Sequence, residues 1–136
     1  MRKLIYAVGR LFWRFRYPVS LPEEVSKALG IQASNNLRFD EFIALLTSPS
    51  CHPTSLSRFM PREEAEILFK TALKKETFVR ESLFSYYFDG AWLEFILHFD
   101  SQLLLRRLYV HHQLIHQEGG VEIHLSRHEP THITPN

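Results

Sequence analysis

Two periods divide the chain. Before about residue 76 apolar residues recur every three or four positions, and from Thr77 onward they alternate with polar ones. The first spacing places side chains on one stripe of a helix, the second on one face of a strand. Leu4, Val8, Leu11 and Phe15, with Ile5 and Phe12 beside them, predict a helix over 3–17 that ends near Pro18. Ser20 and Glu23 stand at capping-box spacing, Pro22 fits a first turn and Gly30 a stop, so a short helix follows. Asn36 is the expected cap of a third helix with Phe39, Phe42, Ile43 and Leu46 inward and Pro49 as terminator. After the loop "TSPSCHPTSLS", a fourth helix is expected from Pro61, with Glu63 and Glu64 in its first turn, Lys70, Lys74 and Lys75 in its last, and Ala65, Leu68, Phe69 and Ala72 inward.

The alternating half predicts strands over 77–88, 92–99, 103–115 and 121–128, with Asp89-Gly90 and Gly119-Gly120 as hairpin turns. The expected fold class is α+β, with about four N-terminal helices packed on one face of a C-terminal four-stranded antiparallel meander. Residues 1–128 then form one globular domain and 129–136 a flexible tail.

A two-residue turn at Ser101-Gln102 would pair Asp100 with Leu103, and hence Leu93 with Val110, Phe95 with Leu108 and Phe99 with Leu104, all apolar. Slipping by one residue would set these against Arg107 and Tyr109, so the pattern specifies the faces. Phe84 and Tyr86 join the inner face across Asp89-Gly90, and Leu125 joins it opposite Leu114. The outer face receives Leu83 and Tyr87, then Trp92, Glu94, Ile96 and His98, then Arg107, Tyr109, His111 and Gln113, and last Glu122 and His124. Tyr87 would face Trp92, and Glu94 would face Tyr109. Amphipathic rings beside charges are enriched at protein interfaces, so Tyr87, Trp92, Glu94, Arg107, Tyr109 and His111 are the candidate partner-binding residues. The competing account is that cross-strand aromatics stabilise the sheet, or that the helix over 3–17 covers this face and makes those rings core.

Composition narrows the function classes. The 136 residues are 45% hydrophobic and 13% aromatic, enough for a packed core, and a formal charge of +1 from 16 basic and 15 acidic residues gives no global field to gather polyanions. Nucleic-acid or membrane affinity must therefore come from a local patch. The single cysteine, Cys51, excludes an internal disulfide and makes a reducing, cytoplasmic setting the expectation. The apolar run at the N-terminus stops at Arg10, unlike a signal peptide, and no run reaches the roughly 20 apolar residues of a membrane span.

Catalytic and cofactor signatures are lacking. His98 and His111 are expected roughly 20 Å apart on neighbouring strands, and an approach of His111 to His128 across the last hairpin offers no third ligand, so no metal site is assigned. Cys51-His52 are neighbours in sequence without an orienting third group. Glu94 and Asp100 fall on different faces, and the one Gly-Gly belongs to a hairpin, so neither paired carboxylates nor a phosphate cradle emerges. No catalytic residue and no cofactor is assigned.

Residues 23–39 resemble a DNA-binding helix-turn-helix, with Ala28, Gly30 and Ile31 at the corner, although Asn36 stands where that motif carries an apolar residue. Arg2, Lys3, Arg10, Arg14 and Arg16, with Trp13 and Tyr17, make the first predicted helix basic; its apolar stripe favours core packing over a surface-lying membrane helix. The leading expectation is a small non-enzymatic protein-binding module, an adaptor or regulator, using the open sheet face. The alternative is nucleic-acid binding through 23–39 with the basic N-terminal helix, and the second alternative an enzyme whose site is assembled from scattered residues. A homo-oligomer is compatible with each.

Overall fold

The computed structural model describes residues 22–32, 37–88, 90–113, 115 and 120–126. Three helices precede a five-stranded antiparallel meander: α1 (Pro22–Leu29), α2 (Phe39–Thr47), α3 (Arg62–Ile67), β1 (Lys74–Thr77), β2 (Glu81–Phe88), β3 (Ala91–Phe99), β4 (Leu105–His111) and β5 (Val121–Ile123). The strands lie in chain order, so β1 and β5 are the outermost of the described strands. The α+β class with helices on one sheet face holds, and the sheet has one strand more than expected. The helix expected over 3–17 and the tail 129–136 lie outside the described residues. Among the described residues no helix is long and apolar enough to cross a membrane.

Helix α1 ends as its sequence requires. Gly30 takes φ +77°, the Gly30 amide donates to the Lys27 carbonyl and the Ile31 amide to that of Ser26, a Schellman closure. A Cβ at Gly30 would stand 2.2 Å from Thr54 Oγ1, so the tight contact with 54–55 also demands glycine. Helix α2 begins behind Arg38 rather than Asn36, with the Arg38 amide donating to Glu41 Oε1 at 3.0 Å. Helix α3 stops at Ile67, and Lys74 and Lys75, expected in its last turn, instead form part of β1. The four residues of β1 are all exposed, so no hydrophobic pattern announces this strand; pairing with β2 outweighs helical continuation.

The predicted strand over 77–88 is therefore two strands joined by a tight turn, in which the Phe78 amide donates to the Glu81 carbonyl at 2.7 Å. The Asp89-Gly90 hairpin stands as expected, with Phe88 opposite Ala91 and Gly90 at φ +80°. The β3–β4 register does not. Phe95 pairs with Val110 and Leu97 with Leu108, two residues from the expected alignment, and Phe99 pairs with Leu105 after a bulge that leaves Arg106 as the extra residue. The cause lies in the loop: Asp100 Oδ1 accepts from the Gln102 and Leu104 amides, and Leu103 adopts φ +61°, making a longer connection than Ser101-Gln102 alone. A shift of two keeps Glu94 to His98 and Arg107 to His111 on their predicted faces, whereas the bulge turns Leu105 rather than Leu104 into the core opposite Phe99. The last connection also runs long. Val110 pairs with Val121, so 112–120 bridge β4 and β5 in place of a Gly119-Gly120 turn; Leu125 packs beside the core, and its expected partner Leu114 lies outside the described residues.

The core lies between the helices and the inner sheet face. Val25 and Leu29 of α1, Phe42 and Leu46 of α2, and Ala65 and Phe69 from α3 and its exit meet Phe84, Tyr86, Phe88, Leu93, Phe95, Leu97, Leu108 and Val110. Rings make much of the contact: Phe69 stacks on Phe84 at 4.9 Å between centroids, and Phe39 on Phe88 at 5.1 Å.

Candidate functional site

Along β3 buried and half-buried residues alternate without a break, so Trp92, Glu94, Ile96 and His98 stand on the outer face. Three cross-strand rows build that face: Lys74, Ser85, Glu94 and His111; then Glu76, Leu83, Ile96, Tyr109 and Glu122; then Glu81, His98 and Arg107. Tyr87 pairs with Trp92 as expected, their rings edge to face at 5.3 Å, and Lys74 Nζ sits 4.3 Å over the Trp92 ring. Glu94 faces His111 rather than Tyr109, because of the register shift, and its Oε1 lies 3.4 Å from His111 Nδ1. A second carboxylate–imidazole pair joins Glu81 to His98 at 3.4 Å.

Tyr109 is the hub of the remaining contacts. The His98 ring meets it edge-on at 5.2 Å, and Arg107 Nη1 donates to its hydroxyl at 3.3 Å. That hydrogen bond, the Tyr109 hydroxyl's field and Glu122 hold the Arg107 guanidinium above its ordinary value. Five of the six candidate residues thus lie on the surface of this face. Tyr87 does not: it is 2% exposed, outside the inner core cluster, and its hydroxyl has no hydrogen-bond partner among the described residues.

The rows also limit the chemistry. Ser85 is the hydroxyl nearest a carboxylate–imidazole pair, but Glu94 stands between it and His111 in the row. A hydrolytic relay needs the imidazole in the middle, so this order cannot activate the serine. His98 pairs with Arg107, four positions from His111, which separates the histidines by roughly 13 Å at the strand rise, less than expected but still too far to share an ion. Among the described residues no three His, Cys, Asp or Glu side chains converge on a metal position.

Compared with protein-family models, curated proteins and solved structures, the chain matches none. Its own side chains are therefore the only guide.

Two other places of interest change standing. Cys51 is buried, which pushes its thiol up and away from the reactive thiolate, and it lines an open pocket of about 360 Å³ with His52, Gly30 and Leu45. Of the segment 23–39 the described residues hold α1 and, from Phe39, the start of α2, while 33–36, within the expected second helix of a helix-turn-helix, lie outside the described residues.

Sequence reasoning missed Arg62. Its guanidinium, in a side chain 16% exposed, donates to the Phe78, Val79 and Glu81 carbonyls at 2.7, 2.9 and 3.1 Å, to Ser82 Oγ at 2.9 Å and to Glu66 Oε2 at 3.0 Å. The Ser82 hydroxyl donates to the same carboxylate at 2.5 Å, and Lys75 Nζ lies 3.6 Å from its other oxygen. Burial alone would raise the Glu66 carboxyl, but Ser82, Arg62 and Lys75 more than offset it and hold it below its ordinary value. The i,i+4 spacing of Arg62 and Glu66 was visible in the sequence; the distant turn they fasten was not.

Proposed function

We propose that the chain is a non-enzymatic protein-binding module, an adaptor or regulator, that receives its partner on the outer face of β3, β4 and β5. The observation that carries this reading is the fixed, partly exposed set of mixed chemistry in the central rows. Glu94, His98 and His111 are each tied to a neighbour while their side chains stay 36–42% exposed, and Ile96 and Tyr109 lie between them. Side chains already held in place lose little further entropy on docking, and an aromatic hub beside Arg is the composition of an interface anchor. Arg107 is exposed and would meet a carboxylate of the partner; Ile96 and Tyr109 would meet an apolar side chain. The burial of Tyr87 confines the docking area to the half of the face beyond Trp92. The single cysteine supports a cytoplasmic setting.

Affinity capture with the wild-type chain, beside Arg107→Glu and Tyr109→Ala, tests the reading. Each variant should retain the wild-type melting profile within a few degrees and lose a shared captured protein by about tenfold or more. Capture of the same proteins by all three chains would sink the proposal.

A further inference from the structure

Burial along β2 changes character part-way. From Glu81 to Phe84 half-buried and buried residues alternate, as on a sheet with one open face, but from Ser85 to Phe88 every residue is buried. Tyr86 and Phe88 belong to the core under the helices, whereas Ser85 and Tyr87 point the other way and are still only 7% and 2% exposed. The outer face is therefore covered at the β2–β3 hairpin end, and half-buried residues return along Glu94, Ile96 and His98.

The described side chains do not account for this cover. Helices α1, α2 and α3 pack on the inner core, and Tyr87 is the one buried aromatic residue outside it among those described. The Trp92 ring meets Tyr87 only edge-on, and Lys74 Nζ stands over Trp92. Both Trp92 and Lys74 take part in contacts beyond these. A tyrosine presents roughly 150 to 250 Å² to be covered, more than one ring edge supplies.

Two observations name the occupant. Of the chain outside the described residues, 33–36 and 116–119 are short and polar, and 127–136 holds Ile133 as its one large apolar side chain. Only 1–21 carries an apolar stripe, that of Leu4, Val8, Leu11 and Phe15. As the helix its spacing predicts, 3–17 is roughly 22 Å long, enough to cross the strands of the hairpin. Charge points the same way. Counting histidine as neutral, Glu76, Glu81, Glu94 and Glu122 outnumber Lys74 and Arg107 on the outer face. Residues 2–16 carry Arg2, Lys3, Arg10, Arg14 and Arg16 and no acid.

We propose that the segment 3–17 lies across the β2–β3 hairpin end of the outer face, its apolar stripe on Tyr87 and Trp92 and its basic flank toward the outer-face carboxylates. The domain then has a third layer at this end alone. Arg107 and Tyr109 stay open beyond it, so this proposal and the partner-binding reading fail separately.

Trp13 and Trp92 are the only tryptophans, so Trp13→Phe leaves Trp92 as the reporter in the full chain. Its emission should be blue-shifted and weakly quenched by acrylamide. In that background Leu11→Asp, on the stripe, should move the emission to the red and raise the quenching. Tyr6→Asp, on the far side of the same expected helix, should change neither, and Arg107→Glu should change neither. Milder truncations guard against general unfolding: in urea, read by circular dichroism, the midpoint loss of Leu11→Ala combined with Trp92→Ala should be smaller than the two single losses together, as for residues in contact. Emission of an exposed indole in Trp13→Phe, no response to Leu11→Asp, or additive midpoint losses overturn the proposal. So does shielding of Trp92 that disappears on dilution together with a dimer in sedimentation, because a second copy of this chain would then be the cover.

Discussion

Replacing Arg62 by alanine removes one guanidinium that serves a helix, a turn and a strand together. The loss has two parts of unequal weight. The Phe78 and Val79 carbonyls belong to exposed residues, so water replaces the guanidinium there at little cost. The Glu66 carboxylate, 17% exposed, keeps only the Ser82 hydroxyl and Lys75 at 3.6 Å. Removing one partner of a fully buried pair costs roughly 3 to 5 kcal/mol; the residual access to water lowers that to about 2 to 4 kcal/mol here. Arg62→Lys keeps the charge but not the fork, and should cost about 1 to 2 kcal/mol. Urea denaturation followed by far-ultraviolet circular dichroism reads both, and amide exchange should accelerate at Phe78, whose donor closes the turn. The dependence on pH is a second signature. Glu66 is held below its ordinary value in the folded chain, so its contribution is complete above the unfolded carboxyl range and is lost as pH falls through the folded value. The gap between wild type and Arg62→Ala should therefore narrow toward acid pH. A gap within about 0.5 kcal/mol at neutral pH, the range of ordinary surface changes, would refute the assignment of Arg62 as the fastening of the β1–β2 turn.

Phe95, fully buried between Phe69 and Tyr86, should cost about 3 to 5 kcal/mol on truncation to alanine, and Ile96→Ala, one residue on and facing outward, markedly less; equal midpoints in urea would mean that the sheet has two cores. Tyr87→Phe removes a buried hydroxyl without a partner and should leave stability unchanged or raise it by up to about 1 kcal/mol; a lower denaturation midpoint would contradict the geometry of that site.

The two sheet faces were legible in sequence because side-chain direction has period two and survives an even shift of register. The pairings were not, since Asp100's side chain and the left-handed Leu103 lengthen the β3–β4 loop, and leucine does not announce such a turn as glycine would. Glu94 accordingly meets His111 instead of Tyr109. Strand β1 was invisible for a different reason: "KKET" has no buried side, and only pairing with β2 and the Arg62 contacts make it a strand.

The lysines of β1 have one more effect. An unpaired strand edge invites another extended chain to continue the ladder, the usual opening to amyloid-like stacking. On one side the outermost described strand is Lys74–Thr77, its residues exposed, with Lys74 and Lys75 adjacent; a second copy aligned there would bring like charges together at close range. On the other side Val121–Ile123 is only three residues long, and the parallel bridge from Ser57 to Ser126 occupies the ground just beyond it. Both margins thus discourage uncontrolled growth of the sheet, which leaves the molecule able to hold exposed apolar turns and an aromatic face in water without polymerising through its backbone.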